Sequence, residues 1–314
     1  MKQASCPLCS TKPDALVLEN GMKISEDFTI VTCRICDHKY TYFLVNVSEE
    51  GIYRDERYRV IDNRNSIFDK MLSFEYNRVV GKIKKRYGSE PAVLDFGSGK
   101  GKFLSLCKEA GFRTNGVETS EPRADFARKF YHLEIDSNYY SKGKLLGAPF
   151  DVISLFHVLE HLSKPKDLFT NLIGDNLGRE GLVVVEVPNI DSWQSRWAGK
   201  NWLQLDVPRH INHFSQDSII SLIESCGLHP VEISYFSSHV GLLGMLRTCL
   251  GLVGYKGDLI HSLKNEKSIL LYLLIGVLLP VSTVLETVAS LFHRGGIIRI
   301  YASNPHAGEN NVDS

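Results

Sequence analysis

A chain of 314 residues with 36 Lys and Arg against 36 Asp and Glu has no net charge, so it lacks the basic excess typical of a nucleic-acid protein. A hydrophobic fraction of 43% supports a packed core and excludes a disordered chain. The length suits one large domain, or one domain with a small module.

The first segment, "MKQASCPLCS", has no apolar run of the kind that opens a secretory signal. Of the seven cysteines, Cys6, Cys9, Cys33 and Cys36 form two CxxC pairs, the usage of a metal site rather than of a disulfide framework. A reducing, cytoplasmic compartment is therefore expected. Two such hooks can close a tetrahedron of thiolates around Zn²⁺ with no position open for chemistry. The intervening "LVLEN…FTIVTC" alternates apolar and polar residues as short strands do. The spacing predicts a zinc-ribbon-like module over residues 1–50, held by structural zinc. A module this small needs the metal to make up for the surface it cannot bury. Residues 51–89 read as a linker and a helix.

The next stretch, "PAVLDFGSGKGKFLSLCKEAG", predicts a strand over 92–96, a glycine turn, and a helix with Phe103, Leu106, Cys107 and Ala110 on one face. Gly111 closes that helix. Strand, glycine turn and helix begin a doubly wound nucleotide-binding sheet. Neither a phosphate loop nor a G-x-G-x-x-G dinucleotide turn fits, because no glycine stands five positions before Gly101 and position 102 is lysine. The pattern is Gly97, Gly99 and Gly101, preceded by Asp95 inside the strand. An acid there suits a cationic amino-acid ligand better than a pyrophosphate.

"FRTNGVETS" predicts a second strand ending at Glu118, whose carboxylate is placed to take both hydroxyls of a ribose. A solvated glutamate at a strand end is the alternative. "SEPRADFARKF" then starts a helix with Ser120 as cap and Pro122 in its first turn.

"FDVISLF" predicts a buried parallel strand, and "HVLEHL" follows it directly. His157 and His161 with Glu160 spell the H-x-x-E-H signature of one zinc-peptidase class. That reading needs a third metal ligand and a matching helix, and it leaves the glycine loop and Glu118 unexplained. Beyond the carboxyl end of its strand, His157 falls at the rim of the nucleotide crevice, with His161 one helical turn further on. Either histidine can instead serve only to hydrogen-bond nearby backbone.

These three stretches, "VLDFGSGKGKF", "GVETSEPRADFA" and "FDVISLFHVLEHL", taken in order and spacing, resemble a class I methyltransferase that uses S-adenosylmethionine. The resemblance covers roughly residues 90–235 and the final strand, and is nearest to quinone and sugar methyltransferases. Members with an N-terminal cysteine ribbon, often acting on sugars, also look similar, and here the match takes in the link "GIYRDERYRV". The resemblance implies that Asp95 and the 97–101 loop hold the methionine portion and that Glu118 holds the ribose. The expected fold is α/β: a doubly wound, seven-stranded, mostly parallel Rossmann-like sheet over residues 90–314, with the small ribbon before it and an apolar helical insert at about 238–293.

Methyl transfer to a hydroxyl is helped by a base of near-neutral pKa, which suits histidine. The candidates are His157, His161, and His210 with His213 in "DVPRHINHF". That second pair follows the fifth strand, "GLVVVEVPN", and an aromatic stretch whose Trp193, Trp197 and Trp202 are placed to wall a substrate pocket, or else to fill the core margin. "SQDSIISLIESCG" reads as an amphipathic helix capped by Ser215 and stopped at Gly227. The sixth strand, "PVEISYF", and the last, "GGIIRIYASN", should pair antiparallel.

Between those two strands lie "VGLLGMLRTCLGLVG" and an uncharged run over 268–285, at the lower edge of bilayer-spanning length. One complete crossing would leave the last strand on the wrong side of the membrane from its sheet. A helical hairpin lying in one leaflet avoids this, with Arg247, Lys256, Lys264, Lys267 and Arg294 meeting anionic headgroups and Pro280 kinking the longer run. A dimer interface or a cover over the substrate pocket are the other readings. The expected activity is S-adenosylmethionine-dependent O-methylation of a small or lipid-linked acceptor, a sugar or quinone-like ring, by a cytoplasmic protein peripheral to the inner face of the membrane. An RNA-modifying enzyme, or a catalytically silent cofactor-binding module, are the alternatives; zero net charge and the apolar insert count against nucleic acid.

Overall fold

The computed structural model describes residues 4–46, 60–257, 259 and 268–304. Most of the "GIYRDERYRV" link, together with Lys264 and Lys267, lies outside the described residues.

In the N-terminal region, α1 (Ala15–Glu19) precedes β1 (Met22–Lys23), β2 (Phe28–Thr32) and β3 (Lys39–Phe43). The "LVLE" expected as strand is thus helical, and only the "FTIVT" half of the alternating stretch is extended. The long helix α2 (Ile67–Tyr87) leads into the large sheet, its N-terminus capped by Ser66, which accepts from the Asp69 amide.

The doubly wound core then runs β4 (Ala92–Phe96), α3 (Lys102–Glu109), β5 (Arg113–Val117), α4 (Glu121–Tyr131), β6 (Ile135–Asp136), β7 (Phe150–Phe156), α5 (Pro165–Asn176) and β8 (Leu177–Pro188). After it come α6 (Trp193–Ala198), β9 (Asn212–His213), α7 (Gln216–Ser225), β10 (His229–Ser234), α8 (Val240–Leu252), α9 (Ile269–Leu291) and β11 (Ile297–Ser303). The seven-stranded sheet has the order β10-β11-β8-β7-β4-β5-β6, and β11 runs antiparallel to both of its neighbours. The other pairs are parallel, as α/β crossovers require. Helices on both faces explain why β4, β7 and β11 read as near-continuous apolar runs. The capping box at Ser215 forms with Ser218. Val231 is 54% exposed where the register shifts between Pro230 and Glu232.

Two features depart from the sequence reading. First, the N-terminal hairpin gains a fourth strand from the body of the protein: β9 pairs with β3, Lys39 opposite His213 and Tyr40 opposite Asn212. Second, "HVLEHL" is not an α-helix. His157 adopts φ +56°, a left-handed conformation uncommon outside glycine, and a single 3₁₀ turn spans Leu159–His161. The two histidines therefore do not share a helix face.

Trp202 is buried against Ile30, Ile190 and Leu205, so it packs between the hairpin and the loop before β9. Trp193 stacks on Trp197 at 5.5 Å and on Phe292 at 6.4 Å. α8 and α9 pack on each other through Leu246, Leu250 and Leu271. Helix α9 continues through Pro280.

Candidate functional site

β4 ends at a bend made by three glycines with positive φ: Gly97 (+76°), Gly99 (+54°) and Gly101 (+80°). At Gly97 a Cβ would come within 2.5 Å of Val158, so glycine lets the loop approach the turn after β7. Gly99 meets nothing within 4 Å, which leaves the backbone there open to a ligand. Glu118, just past β5, lies over this loop. Its Oε2 accepts the Gly99 N–H at 2.8 Å and its Oε1 accepts the Ser120 N–H at 2.8 Å. Ser120 stands at the N-terminus of α4 without a side-chain cap bond.

Asp95 is buried beside the loop. The Ser154 hydroxyl donates to its Oδ1 at 2.7 Å, and among the described residues no cation pairs with it. Burial pushes its carboxyl up to about 7, because a charge without a counter-charge is disfavoured in low dielectric. An ammonium group would restore the balance. Asp95, the open loop and Glu118 thus fit the cationic, ribose-bearing ligand that the sequence implies.

His157 is held at both ring nitrogens. Its Nδ1 is 3.0 Å from Glu160 Oε1 and its Nε2 is 3.1 Å from Glu186 Oε1. Burial alone would lower its pKa, but the two carboxylates outweigh that and raise it to about 10. An imidazole flanked in this way is an imidazolium with no lone pair, and is unsuited to be the base. Glu186 in turn accepts from Arg299 Nε, and Arg299 Nη2 donates to Glu75 Oε2 at 2.9 Å. The buried alternation Glu75–Arg299–Glu186–His157–Glu160 links α2, β11, β8 and the turn after β7. The sequence reading missed Glu75, Glu186 and Arg299. For Glu186 and Arg299 the signal was a lone charge inside an apolar strand, as in "VVVEV" and "IIRIY"; Glu75, on helix α2, carried no such signal.

The other histidines separate into two environments. His161 and His210 meet with ring centroids 4.7 Å apart. His213 instead donates toward Thr41 Oγ1 at 2.9 Å, on the hairpin strand β3. It is buried, and burial holds its pKa well below the ordinary value. The candidate His213 thus sits where β9 joins the hairpin, its ring bonded to β3. The Thr41 hydroxyl donates to the His210 carbonyl at 2.9 Å. His38 Nε2 lies 3.1 Å from Asn212 Oδ1, and Asn212 Nδ2 donates to the Leu159 and Leu162 carbonyls at 2.9 and 2.7 Å. The N-terminal hairpin is thereby tied to the turn that carries Glu160 and His161.

The four hairpin cysteines converge. Their Sγ atoms all lie within 4.8 Å of one another, with Cys6–Cys36 at 3.6 Å and Cys9 at 3.5 Å from both Cys33 and Cys36. A tetrahedral Zn²⁺ with bonds near 2.3 Å requires sulfur–sulfur edges of about 3.8 Å. Burial pushes the Cys6 and Cys36 thiols up, the latter to about 11, so a cation is needed to hold them as thiolates. The donor set fits Zn²⁺.

Residues 54–233, more than half of the chain, match the family model described as "Methyltransferase domain". The chain is similar in structure to the plantazolicin methyltransferase BpumL, at 16% identity and a TM-score of 0.50, covering 81% of this chain and 94% of that one. It is also similar to a SAM-dependent methyltransferase from Archaeoglobus fulgidus (22% identity, TM-score 0.49, 75% and 94% covered). A third is the O-methyltransferase of a Brevibacillus brevis polyketide multienzyme in complex with S-adenosyl-L-homocysteine (17% identity, TM-score 0.48, 76% of each chain). No curated protein matches.

Proposed function

The chain belongs to the methyltransferase-domain family of S-adenosylmethionine-dependent enzymes, and from that premise we propose that it O-methylates a sugar or quinone-like acceptor, small or lipid-linked, at the inner face of the membrane. The observation that carries the cofactor assignment is the Glu118 carboxylate 2.8 Å from the Gly99 amide. When bound, S-adenosylmethionine would supply an electrophilic methyl group on a sulfonium, whose sulfur would keep the electron pair as the methyl leaves for the acceptor oxygen. The residues of the chain orient this exchange and take up the proton. Asp95 faces the amino-acid end, the 97–101 bend admits the backbone approach, and Glu118 takes the ribose hydroxyls.

The acceptor proton leaves on the side of Glu160, His161 and His210. His161 Nδ1 lies 3.2 Å from the Arg209 carbonyl and His210 Nδ1 lies 2.7 Å from the Gln204 carbonyl. A carbonyl only accepts, so each Nδ1 carries a proton, and in the neutral ring it is Nε2 that holds the lone pair. Zn²⁺ on Cys6, Cys9, Cys33 and Cys36 has a structural part, keeping the hairpin rigid against the site turn.

Membrane contact is supported by α9. Only 17% of its most apolar 18-residue stretch is buried, and Ile269, Leu270, Leu273, Val277 and Val284 are all exposed. Its carboxyl end is tied to the sheet, where Glu286 accepts the Gly296 amide at 2.8 Å. α8, at 13 residues, is only about 20 Å long, too short to carry the start of α9 across about 30 Å of hydrocarbon. A pair lying in one leaflet fits both lengths. Of the flanking cations, Lys256 is exposed, whereas Arg247 lies over the Tyr255 ring and Arg294 lies beside Asp191. The test is transfer of labelled methyl from S-adenosylmethionine into membrane-lipid extracts, with a water-soluble extract alongside. Label in an alkali-stable ether of a lipid-linked product is expected; label in RNA alone would overturn the acceptor assignment.

A further inference from the structure

We propose that Glu160, His161 and His210 form a second metal centre, holding a divalent first-row transition-metal ion beside the site of methyl transfer. One side-chain donor atom from each of the three lies within 4.8 Å of the others, yet no hydrogen bond joins them. The residues come from two separate segments, the 3₁₀ turn after β7 and the loop before β9. That loop is fixed to the turn by the Ile211 amide, which donates to the Glu160 carbonyl at 2.8 Å.

The protonation pattern is that of a ligand set. With Nδ1 of both rings donating to backbone carbonyls, Nε2 is the nitrogen each neutral ring can offer a metal; a backbone carbonyl on the far nitrogen is how metal-binding imidazoles are commonly oriented. Glu160 supplies an independent sign. Its side chain is fully buried, its Oε1 engages His157, and its Oε2 has no hydrogen-bond partner. Buried carboxylate oxygens are costly to leave unmatched. Two imine nitrogens and a carboxylate oxygen are all acceptors, and one divalent cation satisfies the three together.

Two imidazoles and one carboxylate, without thiolate, select Zn²⁺, Fe²⁺ or a close relative and leave positions open for other ligands. Glu160 and His210 are buried and His161 is partly exposed, so those positions open on the His161 side. The centre is distinct from the four cysteines in both donor type and place. An acceptor oxygen bound there would lose its proton more readily, to water on the exposed His161 side because the metal then occupies the imidazole lone pairs; that consequence rests on the hydroxyl acceptor proposed above, whereas the metal site does not.

The probe is Co²⁺, added to the zinc-loaded full-length chain and followed by visible absorption. The expected result is saturable uptake of a further equivalent, with weak nitrogen- and oxygen-type bands and no thiolate charge-transfer band. Affinity should fall about tenfold or more in Glu160→Gln, His210→Ala and His161→Ala. Because His161 is partly exposed, its variant carries the test if the buried ones fail to fold. Cobalt uptake without detectable methyl transfer would support this centre while removing the acceptor assignment. No uptake beyond the cysteine-bound metal, or equal uptake by wild type and a folded His161→Ala, would overturn the proposal.

Discussion

Glu118 and Gly99 are joined by a hydrogen bond of 2.8 Å from the loop amide to the carboxylate. The bond sets the tip of β5 over the bend that follows β4, and so fixes where a nucleoside can lie. Glu118→Gln keeps the size of the side chain but removes the charge and one acceptor oxygen. The variant should fold normally and bind S-adenosylmethionine about tenfold more weakly, the effect of losing about 1.4 kcal/mol of charged hydrogen bonding. Calorimetric titration of the two proteins checks this.

The His157 cluster makes stability depend on pH. Its folded pKa is raised from 6.5 to about 10, so its contribution is complete below about pH 6.5 and is lost as pH rises toward 10. Glu186 behaves in the opposite sense. Burial alone would raise it, but Arg299 and His157 lower it from 4.5 to about 2, so its contribution is present above about pH 4.5 and disappears as pH falls toward 2. Urea midpoints measured from pH 6 to 9.5 should decline in the wild type and decline less in His157→Gln. Parallel curves would show that His157 does not carry the slope.

Arg299 stands between two buried carboxylates. Arg299→Met leaves Glu75 and Glu186 without their counter-charge and should destabilise the fold by about 3–5 kcal/mol. The double variant Arg299→Met with Glu186→Gln should recover part of that loss. Denaturant titration of both variants measures the coupling.

Zinc on the hairpin predicts one tightly held equivalent that Cys33→Ser releases. Because His38 reaches the site turn through Asn212, metal loss should also slow turnover while S-adenosylmethionine binding is retained. Metal analysis with paired binding and turnover assays separates the two effects.

Leu273 and Val277 sit one turn apart on the exposed face of α9. Leu273→Glu with Val277→Glu should abolish co-sedimentation with anionic vesicles and leave the melting temperature within a few degrees of wild type, since neither side chain is buried. Vesicle sedimentation and thermal melts check the two halves of that statement.

The legible parts of this protein were those written in local pattern. The strand, triple glycine and helix from Ala92 to Gly111 emerged as expected because apolar period and glycine φ are properties of a few neighbouring residues. The place of Glu118 beside the loop was legible from its spacing along the chain. Contacts remote in sequence were hidden: Glu75 and Arg299 meet only once α2 packs across one face of the sheet. The two-residue strand β9 has no periodicity to read, so the bond from His213 to the hairpin was hidden. In "HVLEH" the helical spacing misled, since the left-handed backbone at His157 breaks the helix before it starts and turns its imidazole toward Glu186.

Calorimetric titration of the purified, zinc-loaded chain with S-adenosylmethionine tests the central claim most directly. The account predicts saturable binding of one molecule per chain, displaced by S-adenosylhomocysteine and markedly weakened in Glu118→Gln. A folded protein with no saturable heat, or one whose binding is untouched by that substitution, would contradict it.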